Sequence, residues 1–276
     1  MNGASAGIDP GAAEHYADPA YYSRAYRDRT FDVAYYQSLV ADKPGLRVLE
    51  YGAGNGRITL GLARAGAQVT ALDASAPMLA DLTQQLTREP ESVQSCVRAV
   101  LGDMRERRLR ARFDLVIAPF NTLLHLYTRL DVERFLVKVR AHLEPHGQFV
   151  FDFSLPRVAD LALDPNRWFR GPRFRHPRTG ELVDYAERFH YAPISQILST
   201  WMRFSPRNGA APWETRLTHR QYFPQEIAAL LHYNGFTEQA WSADFNGSEL
   251  RSTSDSAVVV CSSPGAKAGT KLRVRP

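Results

Sequence analysis

Gly52, Gly54 and Gly56 stand at alternate positions between an apolar run at 47–51 and a helix-patterned segment at 57–65. Where a strand hands over to a helix and its backbone lies against a ligand, side chains obstruct the approach and glycines permit it. Glu50 precedes the glycines and Ala53 stands between the first two. Asp73 ends the next apolar run, 68–72, where a carboxylate can accept hydrogen bonds from both hydroxyls of a ribose.

The pattern continues as strand and helix in turn. Residues 57–65 read as an amphipathic helix ended by Gly66, and 76–86 as a helix opened by Ser75 and Pro77. A third strand is expected at 97–101 and a fourth at 113–118, whose near-continuous apolar run suits a parallel strand covered on both faces. A helix over 130–143, closed by Pro145 and Gly147, leads to a fifth strand at 148–153. Such alternation predicts an α/β, doubly wound sheet with right-handed crossovers.

Beyond residue 156 the period changes to alternating segments at 181–191, 196–204 and 215–223, punctuated by Pro172, Pro177, Pro193, Pro206 and Pro212. These read as an inserted antiparallel β excursion. A helix at 224–233 and strands at 236–245 and 257–261 then complete a seven-stranded sheet. Tyr16, Tyr21, Tyr22, Tyr26, Phe31, Tyr35 and Tyr36, mixed with charges, indicate one or two short helices ahead of the core. The division expected is a disordered 1–14, a helical lid 15–45, a core of 46–155 and 224–262, an excursion 156–223 and a flexible tail 263–276.

Composition excludes several classes. The 276 residues, 44% hydrophobic, suffice for one sizeable core. No apolar run approaches the roughly 18 residues of a membrane span, and the first twenty residues lack a secretory pattern. Cys96 and Cys261 lie in apolar runs without Cys or His partners at zinc spacing, so free buried thiols, no metal and a reducing, cytoplasmic setting are expected. Net charge is +5, concentrated in Arg105, Arg107, Arg108, Arg110 and Arg112 and in Arg167, Arg170, Arg173, Arg175 and Arg178. Without aromatic-interleaved modules these clusters read as solvated faces or an anion-binding rim, and nucleic acid is not expected as a partner.

A glycine-rich first turn also serves nicotinamide and flavin cofactors. With Glu50 before the glycines, Asp73, Gly102-Asp103-Met104 after the third strand and Ala118-Pro119-Phe120-Asn121 after the fourth, however, the chain resembles the class I S-adenosylmethionine-dependent methyltransferases. The likeness covers roughly residues 45–155 and 224–262 and is greatest to small-molecule N-, O- and C-methyltransferases with an N-terminal lid. It implies a Rossmann-like sheet and S-adenosylmethionine as cofactor. Gly52, Ala53, Gly54 and Gly56 would then border the methionine part, Asp73 would hold the ribose and Asp103 the adenine amino group. Ala74 and Met104 would line the adenosine pocket, with the backbone after Ala118 beside the methyl donor. Glu50 either orients the glycine turn or meets the cofactor, and Asp103 either meets adenine or caps its own turn. Tyr51 departs from the small or apolar residue commoner before the first glycine.

Methyl transfer needs the acceptor's lone pair in line with carbon and sulfur, so orientation and desolvation can supply much of the rate. His125, just beyond the fourth strand, is the candidate general base, with a local structural role as its rival. Tyr22 and Tyr26 of the lid are candidates to position the acceptor or to enclose the methyl group, or else pack in the core. Phe120, Asn121, Trp168, Arg170, Tyr185 and Trp201 are the expected substrate contacts, a wall suited to an aromatic, indolic or amino-sugar small-molecule acceptor. Methylation of nitrogen is the leading expectation. Methylation of oxygen or carbon on an aromatic or indolic natural-product intermediate, and a non-catalytic S-adenosylmethionine-binding partner protein, are the alternatives. The lid and excursion also offer surfaces for a homodimer contact.

Overall fold

The computed structural model describes residues 10–262, and each apolar run ahead of a turn signal becomes a strand there. Three short helices come first: α1 (Pro10–Tyr16), α2 (Pro19–Ala25) and α3 (Phe31–Ser38). The core follows as β1 (Arg47–Tyr51), α4 (Arg57–Arg64), β2 (Gln68–Asp73), α5 (Ala76–Leu86), α6 (Glu91–Gln94), β3 (Val97–Leu101), β4 (Phe113–Ala118), α7 (Arg129–His142) and β5 (Leu143–Ser154). Then come α8 (Val158–Leu161), β6 (Phe169–Arg170), β7 (Phe174–Arg175), β8 (Leu182–Ala192), β9 (Ile197–Pro206) and β10 (Trp213–Arg220). The chain returns to the core with α9 (Pro224–Tyr233), β11 (Thr237–Ser242) and β12 (Ser256–Ser262).

The main sheet has the order β11-β12-β5-β4-β1-β2-β3. β1 pairs in parallel with β2 and β4, while β12 runs antiparallel to both β5 and β11. β1, β4 and β12 are buried nearly throughout because both faces of the sheet are covered there, whereas the edge strands β3 and β11 are largely exposed. Leu49, Val116, Phe149 and Phe151 pack with Phe135 and Leu136 of α7 and Ile227 and Leu231 of α9. Val48, Val69, Leu115 and Val150 pack on the other side with Tyr36 of α3, Leu39 at its end, and Ile58 and Leu62 of α4. Thr128 opens α7 with a capping box, its hydroxyl accepting from the Asp131 N–H while the Asp131 carboxylate accepts from the Thr128 N–H. That box sets Asp131 facing the loop after β3.

Several boundaries differ from expectation for local reasons. α1 begins at Pro10, inside the 1–14 stretch expected to be disordered, because Ala12 and His15 are buried and Glu14 accepts from the Arg216 N–H of β10. Residues 1–9 and 263–276 lie outside the described residues. The lid has three helices because the Asp18 cap with Pro19 starts a new one and Thr30 starts another. β5 begins at Leu143, directly at the end of α7, and the 143–147 approach is absorbed by a register shift between Phe113 and Leu115.

The excursion forms a second sheet, β10-β9-β8-β6, with β7 also on β8. Register opposes Tyr185 to Phe204 and Phe204 to Trp213, so these rings share one face and pack on Tyr21 of the lid. The other face carries Arg188, Trp201, Arg203 and Arg216.

Tyr51 is fully buried, and its hydroxyl lies 2.7 Å from His142 Nδ1. The Leu109 N–H donates to His142 Nε2 at 3.0 Å, so Nδ1 carries the ring proton toward Tyr51. Burial holds His142 down at about 4. The large residue before the first glycine therefore serves the packing of α7. Cys261 is buried as expected, whereas Cys96 is partly exposed; both are free thiols. Among the described residues, no helix is long and apolar enough to cross a membrane.

Candidate active site

The glycine turn has the left-handed backbone that its composition anticipates, with φ of +66° at Gly52, +56° at Gly54 and +88° at Gly56. A Cβ at Gly52 would also strike the Thr122 hydroxyl. Asp73 organises this turn from the neighbouring strand: one carboxylate oxygen accepts from the Gly54 N–H and the other from the Ser75 N–H, each at 2.7 Å. Burial still leaves its carboxyl above the usual range, against the lowering effect of those bonds.

Below the turn opens a pocket of about 940 Å³, its mouth included. Glu50, Gly52, Ala53, Gly54, Asp73, Ala74, Asp103, Met104, Phe120, Tyr22 and His125 all line it. Glu50 is buried at the end of β1, where it accepts from the Thr59 hydroxyl at 2.5 Å. Burial raises it to about 8, with Arg57 opposing. Asp103 is clasped by Arg105, Nε to Oδ1 at 3.0 Å and Nη2 to Oδ2 at 2.6 Å, and the guanidinium continues to Asp131 at 2.8 Å. The acid after β3 thus faces the pocket already paired with a cation.

The remaining sequence candidates lie elsewhere. Gly56 caps α4 and Ala118 is buried in β4. Tyr26 stands behind the wall, its ring 4.8 Å from Phe120 and 4.7 Å from Tyr22. Asn121 turns its side-chain oxygen to the Ser154 N–H at 2.7 Å. Trp168, Arg170, Tyr185 and Trp201 do not line the pocket. Tyr185 packs in the excursion's inner cluster and donates to Glu187, and Arg170 is exposed in β6. Trp168 and Trp201 stack with arginines, Arg203 3.9 Å over Trp168 and Arg216 5.3 Å over Trp201.

Lining residues that sequence reasoning missed include Tyr16, Asn55, Arg57, Met78, Arg105, Thr122 and Tyr127. Arg57 carried a signal, since it is the first residue of the helix behind the glycines. Its guanidinium grips Asp32 of α3 through both terminal nitrogens, at 2.5 and 2.7 Å, and its Nε is buried without a hydrogen-bond partner. At the far end, His125 Nε2 lies 2.8 Å from the Tyr16 hydroxyl, while Nδ1 is buried and unpartnered. Burial pulls His125 down to about 4 and pushes the Tyr16 and Tyr22 hydroxyls up. These groups are therefore uncharged at neutral pH.

Residues 48–147 match the family model of a methyltransferase domain. YqeM of Bacillus subtilis, named as a methyltransferase, is 32% identical over 213 residues, covering 76% of this chain and 81% of its own. The cypemycin N-terminal methyltransferase of a Streptomyces species is 34% identical over 112 residues, 41% of this chain; the match spans only 43% of that relative's length. Among solved structures, the CcbJ methyltransferase from Streptomyces caelestis superposes with a TM-score of 0.73 at 24% identity, covering 89% of this chain and 99% of its own, a likeness of fold.

Proposed function

We propose that this chain, which belongs to the class I S-adenosylmethionine-dependent methyltransferases, transfers the methyl group to nitrogen on a small-molecule acceptor. The residues present fit the cofactor. Asp73 keeps carboxylate lone pairs for a ribose beyond those it gives to the backbone N–H groups of Gly54, Ala74 and Ser75. Leu72, Ala74, Met78 and Met104 supply apolar contact for a purine, and Asp103 offers an acceptor at its edge. The unpartnered Arg57 Nε suits the carboxylate of the methionine part. When bound, the cofactor supplies a methyl group on a cationic sulfur, open to attack by a lone pair.

The observation that carries nitrogen over oxygen is the uncharged acceptor end. His125, held at about 4, is a weak base. Taking a proton from a phenol of ordinary pKa near 10 would cost it about 8 kcal/mol. An amine needs no base in the site if it enters neutral, and burial favours that form over the ammonium. The residues then act by holding it: the His125 ring, fixed through Nε2 by Tyr16, presents Nδ1 for a hydrogen bond, and Tyr22 and Phe120 wall the approach. The relative named for N-terminal methylation supports this reading.

Mass spectrometry of reactions with S-adenosylmethionine and a mixed panel of amines, phenols, indoles and amino sugars tests it. Methyl mass is expected on an amine, with His125→Asn keeping amine turnover within about tenfold, the loss of one hydrogen bond. Methyl gain confined to phenols or hydroxyls, abolished in His125→Asn, would reinstate His125 as a general base and refute nitrogen.

A further inference from the structure

Phe120 and Asn121 follow β4 with φ of +51° and +66°, the left-handed region that a bulky residue such as phenylalanine avoids. Such a conformation persists only where the surroundings enforce it. Here the enforcing group is Asp152, near the C-terminal end of β5. Its Oδ1 accepts from the Phe120 N–H at 2.9 Å and its main-chain carbonyl accepts from the Asn121 N–H at 3.2 Å. The same Oδ1 accepts from the Tyr36 hydroxyl of α3 at 2.6 Å. Arg29, 3.8 Å from Oδ2, stacks 4.5 Å over the Phe120 ring and bonds to Asp32 at 2.7 Å. Asp152 is itself buried and absent from the pocket wall, whereas Phe120 lines it.

We propose that Asp152 is a positioning residue for methyl transfer, one carboxylate that fixes the left-handed turn carrying Phe120 and ties the lid helix to that turn. The inference rests on the reading of the pocket as a methyl-transfer site. It goes beyond that reading by assigning the acceptor wall's shape to a residue outside it. The chemistry favours an ionised carboxyl: two donors converge on one oxygen and a guanidinium faces the other. An asparagine could keep both bonds on its oxygen only by turning its amino group toward Arg29, donor against donor. The groups facing the carboxyl are Tyr35, Tyr36 and Asp32 from α3, Arg29 from the turn before it and the Phe120 N–H from the loop after β4. Burial lifts the carboxyl to about 6, against the lowering effects of Tyr36, the Phe120 N–H and Arg29.

The test follows the Phe120 amide by NMR between pH 5 and 8 in wild type, Asp152→Asn and Tyr36→Phe, with calorimetry of S-adenosylhomocysteine alongside. The wild-type amide proton should shift with a midpoint at about 6. Asp152→Asn should abolish that titration, and Tyr36→Phe should move the midpoint upward, since it removes a donor to the ionised form. With an amine acceptor in hand, Asp152→Asn should lower kcat/KM about tenfold while S-adenosylhomocysteine affinity stays within about threefold. A Phe120 amide resonance left unchanged by Asp152→Asn, or Asp152→Asn turnover equal to wild type, overturns the inference. The amide titration needs no acceptor, so failure to methylate any amine would sink the nitrogen reading and leave this measurement standing.

Discussion

Replacing Asp73 with asparagine separates the two jobs that the structure gives this carboxylate. In the folded chain its two oxygens each accept one backbone N–H at 2.7 Å, from Gly54 and Ser75. Asparagine has one oxygen, so whichever way the amide turns, one of those N–H groups faces an NH2 group. Leaving one donor unmet costs about 1–3 kcal/mol. Against this, the buried Asp73 carboxyl sits above its ordinary pKa, so removing its charge returns part of that loss. Fold stability should therefore fall by less than that full cost. Cofactor affinity has no such offset. The lone pairs available to a ribose belong to a charged acceptor, and hydrogen bonds to charged groups contribute about 1.5–3 kcal/mol, or about 10- to 150-fold in Kd. Urea denaturation without ligand and calorimetry with S-adenosylhomocysteine read the two numbers separately. A folded Asp73→Asn protein that binds S-adenosylhomocysteine within threefold of wild type would refute the assignment of Asp73 to the cofactor.

Tyr51→Phe should leave the His142 Nδ1–H buried without a partner and lower stability by about 1–3 kcal/mol by urea denaturation, with S-adenosylhomocysteine affinity unchanged. A change in affinity without a change in stability would refute this packing role and tie Tyr51 to the cofactor site. The stability of Asp152→Asn relative to wild type should rise with pH. The folded pKa of about 6 lies above the ordinary 3.8, so the stability this carboxyl contributes is full below pH 4 and is lost as pH rises through 6, whereas asparagine does not titrate. Urea midpoints at pH 4 and pH 7.5 should show the variant gaining up to about 3 kcal/mol on wild type between them; a constant difference would show that Asp152 titrates as an ordinary carboxylate.

The strand-turn-helix of the cofactor site was legible because its determinants are local. Alternate glycines behind an apolar run, and an acid at the end of the next, encode the turn and the residue that holds it. The acceptor end was not, because Tyr16 and His125 meet across 109 positions and no spacing encodes that. For the excursion, strict alternation yields two faces without saying which one is covered. The rings that pack on Tyr21 and those stacked with arginines read alike in sequence, so alternation alone does not separate Trp168 and Trp201, which lie outside the pocket lining, from rings that would face a substrate. Asp152 did carry a signal, a lone carboxylate inside the run 149–153, but a charge in a buried strand says only that something must satisfy it. Its partners, Tyr36 and Phe120, come from the lid and the loop after β4.

Glu50, Asp73 and Asp152 stand on β1, β2 and β5 of one sheet, and burial raises the pKa of each. The nearby cations, Arg29 and Arg57, are both committed to Asp32, which they hold below its ordinary range. The lid therefore absorbs the positive charge that the carboxylates of the strands lack. Local stability alone would not favour this arrangement, since each buried carboxylate works against folding at neutral pH. It suits a site whose ligand arrives as a sulfonium cation and leaves as a neutral thioether: a cation beside Glu50 and Asp73, which line the pocket, favours their ionised forms, and the spent product does not. The far end of the pocket adds no charge of its own, since burial keeps His125, Tyr16 and Tyr22 neutral.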